Sequence, residues 1–293
     1  MARWQADFVA ARLRELYPSL KVVLRIITTK GDKILDVPLA KIGGKGLFTK
    51  ELEEAMLEGE IDLAVHSLKD VPTKLPKGLK IAAITKREEP FDAFVSRSGQ
   101  KLKELPRGAR IGTSSLRRRA QLLNFRPDLQ IADLRGNVNT RLKRLDEGDF
   151  DAVVLAAAGL YRLGRGDMIT EILSPKILLP AVGQGALAVE TRDDDALSAK
   201  LRPLQDEATL AAAESERAFL ATVEGGCQVP VGVYATTAAD NLTVEAVIAS
   251  VDGQRAIRRQ IIGDAAKAKE LGQDLAEEML AAGGREILRE LGL

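Results

Sequence analysis

Short apolar runs separated by helix-length stretches fill the first two-thirds of this 293-residue chain, and that alternation most narrows the folds open to it. Residues 61–65, 79–84, 129–134 and 152–156, with Ile111 among them, read as buried strands. Helix signals fall between them. Phe48, Leu52 and Met56 share a face ahead of Gly59, a run opens at Ser115 and stops at Arg126-Pro127, and Gly148 closes another. This alternation predicts a parallel α/β architecture. After Pro180 the pattern changes: residues 186–190 read as one more strand and 206–224 as a long helix. Strands over 231–235, 242–249 and 256–262, joined by Ala239-Asp240-Asn241 and Asp252-Gly253, favour antiparallel pairing. Helices over 265–280 and 285–291 follow, so the carboxyl-terminal part reads as a separate α+β domain. At the other end Trp4, Phe8, Ala11 and Leu16 recur at roughly helical spacing and predict the core-facing side of a helix.

Composition narrows the class further. Hydrophobic residues make up 45% and charged residues 29%, as in ordinary soluble globular proteins. At ~100 to 150 residues per domain the length predicts two or three domains. One cysteine and one histidine can build neither a disulfide framework nor a Cys/His metal cluster, so no metal is expected. The first twenty residues lack the apolar core of a secretion signal and no apolar run is long enough to span a bilayer, which predicts a cytoplasmic protein without membrane contact.

Charge is balanced overall and uneven locally. Net charge is +1, yet residues 107–144 hold nine arginines and one lysine against Asp128 and Asp133. A solvated charged face would mix the signs. Gly112-Thr113-Ser114-Ser115 leads into Leu116-Arg117-Arg118-Arg119, which places hydroxyls and free backbone N–H groups at a helix start with guanidiniums just inside. That setting favours a bound carboxylate or phosphate. Successive helix residues point about 100° apart, so the three arginines cannot share one site, and Arg117 and Arg118 are the expected pair. In Leu134-Arg135-Gly136-Asn137 the pattern repeats, with Arg135 at a strand end and Thr140 and Arg141 on the next helix. Arginine's planar fork grips a carboxylate through two parallel hydrogen bonds. Several such forks imply a ligand with several carboxylates, the alternative being ordinary surface ion pairs.

Past the strand at 61–65, His66-Ser67-Leu68-Lys69-Asp70-Val71-Pro72 lies where ligands of open α/β sheets bind. Asp70 is the acid there, suited to stabilising a developing cation and relaying a proton, and Lys69 is available for an anion. His66 reads as a packed structural residue. Cys227, in Gly225-Gly226-Cys227-Gln228-Val229-Pro230, has no disulfide partner. Its glycines strip away bulk and Pro230 stiffens the exit, which suits covalent attachment; the alternative is a cysteine packed as a small hydrophobe. Lys41-Ile42-Gly43-Gly44-Lys45-Gly46 lacks the spacing and terminal hydroxyl of a P-loop and reads as a mobile lid. Pro180-Ala181-Val182-Gly183-Gln184-Gly185 reads as a tight crossing between domains, with Gln184 able to reach the cleft.

In order and spacing, the segments around Asp70, Gly112-Thr113-Ser114-Ser115-Leu116-Arg117-Arg118, Leu134-Arg135-Gly136-Asn137, Gly183-Gln184-Gly185 and the Cys227 loop resemble the porphobilinogen deaminases, also called hydroxymethylbilane synthases. The resemblance covers essentially the whole chain. It implies a transferase of tetrapyrrole and haem biosynthesis that joins four porphobilinogen molecules head to tail, with loss of ammonia, on a dipyrromethane cofactor held by Cys227 as a thioether. It also implies that Asp70 stabilises cationic pyrroles and manages protons. Arg117, Arg118, Arg135, Arg141 and Arg162 would hold acetate and propionate groups, with Arg117, Arg141, Arg162 and Gln184 on the substrate side. Lys69, Thr113, Ser115 and Gly136 would add contacts to the cofactor, and Lys41, Gly43, Gly44 and Lys45 belong to a flexible active-site loop.

The fold implied is two α/β domains of periplasmic-binding-protein type around a cleft, plus a smaller α+β domain with a three-stranded antiparallel sheet. Their bounds are 1–88 with 186–203, then 89–185, then 204–293. The family normally begins with a strand and a loop bearing an arginine and a serine ahead of the helix matched by Ala2-Arg3-Trp4-Gln5-Ala6. Domain 1 is therefore expected without that strand, with an open sheet edge, and without those two ligands. A monomer is expected, and no nucleic-acid partner, the latter because only Phe125 interrupts the basic stretch with an aromatic ring and the basic groups sit at strand ends. The competing reading is a two-lobed protein that binds a small polyanion without chemistry.

Overall fold

The computed structural model describes residues 1–29, 49–223 and 229–291. Helices α1 (Ala2–Leu16) and α2 (Lys50–Leu57) precede strands β1 (Leu63–Ser67), β2 (Leu79–Ile84), β3 (Asp92–Ser96) and β4 (Arg110–Gly112). Next come α3 (Leu116–Phe125), β5 (Gln130–Ala132), α4 (Val138–Asp146), β6 (Ala152–Ala156), α5 (Ala157–Arg162) and β7 (Glu171–Ile172). The chain continues through β8 (Leu187–Arg192), α6 (Asp195–Leu201), α7 (Glu207–Thr222), β9 (Val231–Ala238), β10 (Asn241–Ala249), β11 (Ala256–Asp264), α8 (Ala268–Met279) and α9 (Arg285–Arg289).

These strands form three sheets, ordered β1-β8-β2, β5-β4-β6-β3-β7 and β11-β10-β9. The first two belong to α/β lobes and the third to a carboxyl-terminal α+β unit. The chain passes between the lobes twice, outward after β2 and back before β8. The first sheet lies between helices: Val9 and Leu13 of α1 pack with Ala83 and Val189, and Met56 of α2 packs with Ala64 and Leu79. In the second sheet β6 is buried almost throughout, as expected of a central strand.

The parallel arrangement expected from strand–helix alternation holds only in part. β4 runs parallel to β5 and β6, but β3 is antiparallel to β6 and β7. Among the described residues the first sheet is antiparallel throughout, because β8 enters from the other lobe and inserts between β1 and β2 in the opposite direction. A second correction concerns α1. Its buried residues are Gln5, Val9, Ala10 and Leu13. Phe8 is exposed and Trp4 only half-buried, and the two stack on each other with ring centroids 5.4 Å apart. Both faces of this helix carry apolar side chains, so spacing alone did not choose between them.

The third sheet is antiparallel, and its core side is covered by α7 and α8, with Phe219, Val233, Val244, Leu275 and Met279 buried together. The two helices approach closely because α8 has Gly272 at the crossing, where a Cβ would lie 2.0 Å from Ser215 O. The opposite side of the sheet rests on the second lobe through Ala120, Leu179, Val247 and Ala249. A buried carboxylate ties the three parts. Glu216 of α7 accepts from Arg87 Nη1 (2.6 Å) and Nη2 (3.1 Å) on the outward crossing, from Gly183 N (2.7 Å) on the return, and from Ala235 N (2.9 Å) in β9. No helix among the described residues is long and apolar enough to cross a membrane.

Candidate active site

The site assembles where strands end. β1 runs into a 3-10 turn, Leu68–Asp70, that buries Leu68, half-buries Lys69 and leaves Asp70 exposed. In the second lobe β4 ends at Gly112 and the chain turns through Thr113 to Ser115, whose Oγ caps α3 by accepting from Arg118 N. Thr113 Oγ1 in turn accepts from Ser115 N at 3.2 Å, and each hydroxyl keeps its proton for a ligand. After β5, Asn137 caps α4, and Gly136 at φ +109° makes the bend; a Cβ there would stand 2.8 Å from Thr140 Cγ2. Gly136 O accepts from Arg141 Nε at 2.8 Å, which turns that guanidinium back over the loop.

Arg117 and Arg118 are buried, at 5% and 6% exposure, and meet at Asp92, which has no exposed surface. Arg117 Nη1 donates to Asp92 Oδ2 (2.7 Å) and Leu179 O (2.7 Å). Arg118 donates to Asp92 Oδ1 from Nη2 (2.7 Å) and Nε (3.1 Å), and to Val154 O from Nη1 (2.9 Å). Burial alone would raise the Asp92 carboxyl, but the two guanidiniums override it and hold it well below the usual carboxylate range. Gln184 lies beneath the crevice surface rather than at it: it is 1% exposed, its Nε2 donates to Pro90 O (2.7 Å) and Asp92 Oδ1 (3.2 Å), and its Oε1 accepts from Lys69 Nζ (3.4 Å). That places it as a joint linking the Asp70 turn to the arginine pair.

The electrostatics show which groups face one another. Burial lowers the Lys69 ammonium; Asp70 and Asp92 oppose this, and Arg117 and Arg118 reinforce it. Burial also lowers Arg141, to about 10, with Arg118 and Arg135 adding to the effect and Asp70 opposing it. Asp70 of the first lobe therefore acts on Arg141 of the second, which has Arg118 and Arg135 as neighbours, and Lys69 lies within reach of Asp70, Arg117 and Arg118. Positive charge there is under-compensated, and Arg135 Nη1 is buried without a hydrogen-bond acceptor among the described residues. A ligand carboxylate supplies what this donor lacks, so the residues present fit an acid-bearing pyrrole. Arg162 is placed differently, donating from Nη2 to Gly185 O at 2.6 Å with its guanidinium 5.5 Å from the Trp4 ring centroid. Cys227, Lys41, Gly43, Gly44 and Lys45 lie outside the described residues.

Against this geometry the comparisons are decisive. Residues 1–200 match the family described as "Porphobilinogen deaminase, dipyromethane cofactor binding domain", and residues 210–281 match "Porphobilinogen deaminase, C-terminal domain". The chain belongs to the porphobilinogen deaminase family. A porphobilinogen deaminase of Trichlorobacter lovleyi is 54% identical over 292 residues, spanning 99% of this chain and 93% of that protein. One from Syntrophobacter fumaroxidans is 51% identical over 99% of this chain and 94% of its own length. That of Geobacter sulfurreducens is 53% identical, over 99% and 92%. Among solved structures, a probable amino-acid transporter extracellular-binding protein, ytmK of Bacillus subtilis, aligns over 67% of this chain and 76% of its own at TM-score 0.39 and 12% identity, and the two-lobed description rests on the chain's own sheets instead.

Sequence reasoning about this deaminase missed Asp92, whose only local signal is a charged residue opening an apolar strand, and it missed the Arg87–Glu216 joint altogether. It read His66 as a packed residue, and the structure buries it. His66 is buried at 6% exposure, its Nε2 2.9 Å from Glu190 Oε2 without the alignment of a hydrogen bond. Glu53 of α2 faces the same pair, and burial raises its carboxyl, with Glu190 adding to the effect and Thr49 and His66 opposing it. A carboxyl raised by folding costs stability as pH climbs past its unfolded value. Glu53→Gln is therefore expected to stabilise the protein at pH 8, on the order of 1 kcal/mol, with the gain disappearing below the usual carboxylate range. Denaturant midpoints of parent and variant at pH 4 and pH 8 check this; equal midpoints at both pH values would refute it.

Proposed function

We propose that the chain joins four porphobilinogen molecules head to tail on a dipyrromethane primer attached to Cys227, releasing one ammonia per addition, and that water then cleaves the tetrapyrrole from the primer and supplies the hydroxyl of hydroxymethylbilane. The observation that carries this reading is that Arg141 of the second lobe is acted on by Asp70 of the first and by its neighbours Arg118 and Arg135. Each addition breaks the aminomethyl C–N bond of porphobilinogen, so that ammonia leaves and positive charge develops on the pyrrole. A C–C bond then forms to a free pyrrole α-carbon, which gives up its proton. Bound dipyrromethane supplies the first such α-carbon. Asp70 is suited to two tasks, facing the developing cation with a carboxylate and taking up the departing proton. Exposed at the end of its turn, it reaches the reacting groups without itself being desolvated.

The arginines bind and orient. Each porphobilinogen brings an acetate and a propionate, and buried guanidiniums short of counter-charge hold carboxylates strongly because water competes poorly there. Arg135 and Arg141 are the leading candidates, since among the described residues Arg135 has an unmet donor and Arg141 gives only its Nε. Arg117 and Arg118 set the positive floor, with Thr113, Ser115 and Lys69 adding donors around it. Arg162 and Gln184 hold the lobes beneath the substrate positions, and Lys41, Gly43, Gly44 and Lys45 are assigned to the covering loop on sequence alone. The lobes proposed are 1–88 with 186–203 and 89–185, followed by the unit at 204–293. A single cysteine in so long a chain favours the cytoplasm, and the chain is proposed to act as a monomer.

Intact-mass measurement tests the reading. The purified protein is expected to exceed its polypeptide mass by one dipyrromethane, and Cys227→Ser to show the bare mass and no consumption of porphobilinogen. A parent protein of bare mass that leaves porphobilinogen untouched would sink the assignment.

A further inference from the structure

What holds the Asp70 turn matters as much as what the turn carries. On its inner side Leu68 is 1% exposed, its N–H donates to Ala186 O at 3.0 Å, and Gly183 presses so close that a Cβ there would lie 2.6 Å from Leu68 Cγ. Ser67, just before the turn, accepts from Gln5 Nε2 at 2.7 Å. On the outgoing side the grip comes from the third unit. Arg217 of α7 donates from Nη1 to Val71 O at 3.1 Å and from Nη2 to Pro72 O at 2.6 Å. These carbonyls belong to the two residues immediately after Asp70.

The position of Arg217 on its helix gives the contact its meaning. Its neighbour Glu216 fixes α7 to both crossings between the lobes, as described above, and α7 ends at Thr222, five positions before Cys227 in the sequence. Adjacent helix residues point about 100° apart, so Glu216 and Arg217 hold different neighbours from one rigid element. We propose that Arg217 is a positioning residue for the condensation: its guanidinium fork locks the Asp70 turn to α7, the helix that Glu216 ties to both crossings between the lobes, so that Asp70 is held at a fixed place relative to them. This rests on the function proposed above.

Two features separate this role from ordinary support. The bonds go to successive carbonyls, a pair that a planar fork spans and a lysine's single ammonium does not. The turn is also held independently from within, through Leu68, so loss of Arg217 leaves it attached but free to shift. Misplacement of a catalytic group by about 1 Å costs on the order of 10²-fold in rate.

The experiment uses the full-length protein with Arg217→Lys, Arg217→Met and Arg217→Gly. All three are expected to keep the dipyrromethane by intact mass and to hold KM for porphobilinogen within about two-fold, while kcat falls by about ten- to a hundred-fold. Guanidinium at millimolar concentration is expected to restore part of the kcat of Arg217→Gly, and ammonium at the same concentration to restore none. Arg217→Lys with cofactor attached and kcat within about two-fold of the parent would overturn the proposal, as would a kcat loss in every variant that merely follows the fraction unfolded and ignores guanidinium. A parent protein without dipyrromethane or turnover is a separate result, and it strikes the functional reading itself.

Discussion

Asp70→Asn is expected to lower the rate of porphobilinogen consumption by about 10²- to 10⁴-fold, the range of a lost acid–base group, while the protein stays folded and keeps more of its dipyrromethane than of its turnover. The structure separates these effects. Asp70 is exposed at the end of its turn, and the turn's anchors are Leu68, Ser67 and the carbonyls of Val71 and Pro72, none of which uses the Asp70 side chain. The amide keeps the shape and loses the charge facing Lys69 and Arg141. Steady-state consumption together with intact mass reads both quantities. Normal turnover in Asp70→Asn would remove this residue from the chemistry.

Asp92→Asn is expected to be the most destabilising single change in the second lobe, at about 3–5 kcal/mol. Its carboxylate is fully buried and is shared by Arg117 and Arg118, so the substitution leaves two buried guanidiniums facing a neutral amide. The pH dependence has a definite sign. Folding depresses the Asp92 carboxyl, so its contribution is fully present above the unfolded value, about 4, and is lost as pH falls toward the folded one. The gap between parent and variant is therefore wide at pH 7 and narrows below about pH 4. Chemical denaturation at pH 7 and pH 3 measures it, and a gap that failed to narrow in acid would show that the charge is not its source. Because Gln184 also donates to Asp92, the variant is expected to loosen the joint with Lys69, visible as a raised KM in whatever fraction remains folded.

What was legible in the sequence is what local chemistry controls. Ser115 and Asn137 announced their helices because a capping side chain acts within three residues, and both caps are present. The apolar runs gave the strands, with ends shifted by a few positions: 61–65 became Leu63–Ser67 and 129–134 became Gln130–Ala132. Long-range pairing was not legible. Asp92 meets arginines 25 and 26 positions away and Arg87 meets Glu216 across 129, separations that leave no periodic trace. The same limit hid the strand direction in the first sheet, which depends on where the returning chain inserts. It also hid the depth of Gln184, since a glycine on either side promises exposure and says nothing about what packs above.

The order β1-β8-β2 has a consequence for how the molecule is made. Among the described residues β1 and β2 touch no other strand, and both pair with β8, which lies beyond the whole second lobe in the chain. During synthesis on the ribosome, a nascent chain that has emerged as far as Leu173 already holds every strand of the second sheet, yet it carries two strands of the first with nothing between them. The lobe encoded later is thus the earlier one able to close, and the two described strands of the amino-terminal lobe wait for a segment from far downstream.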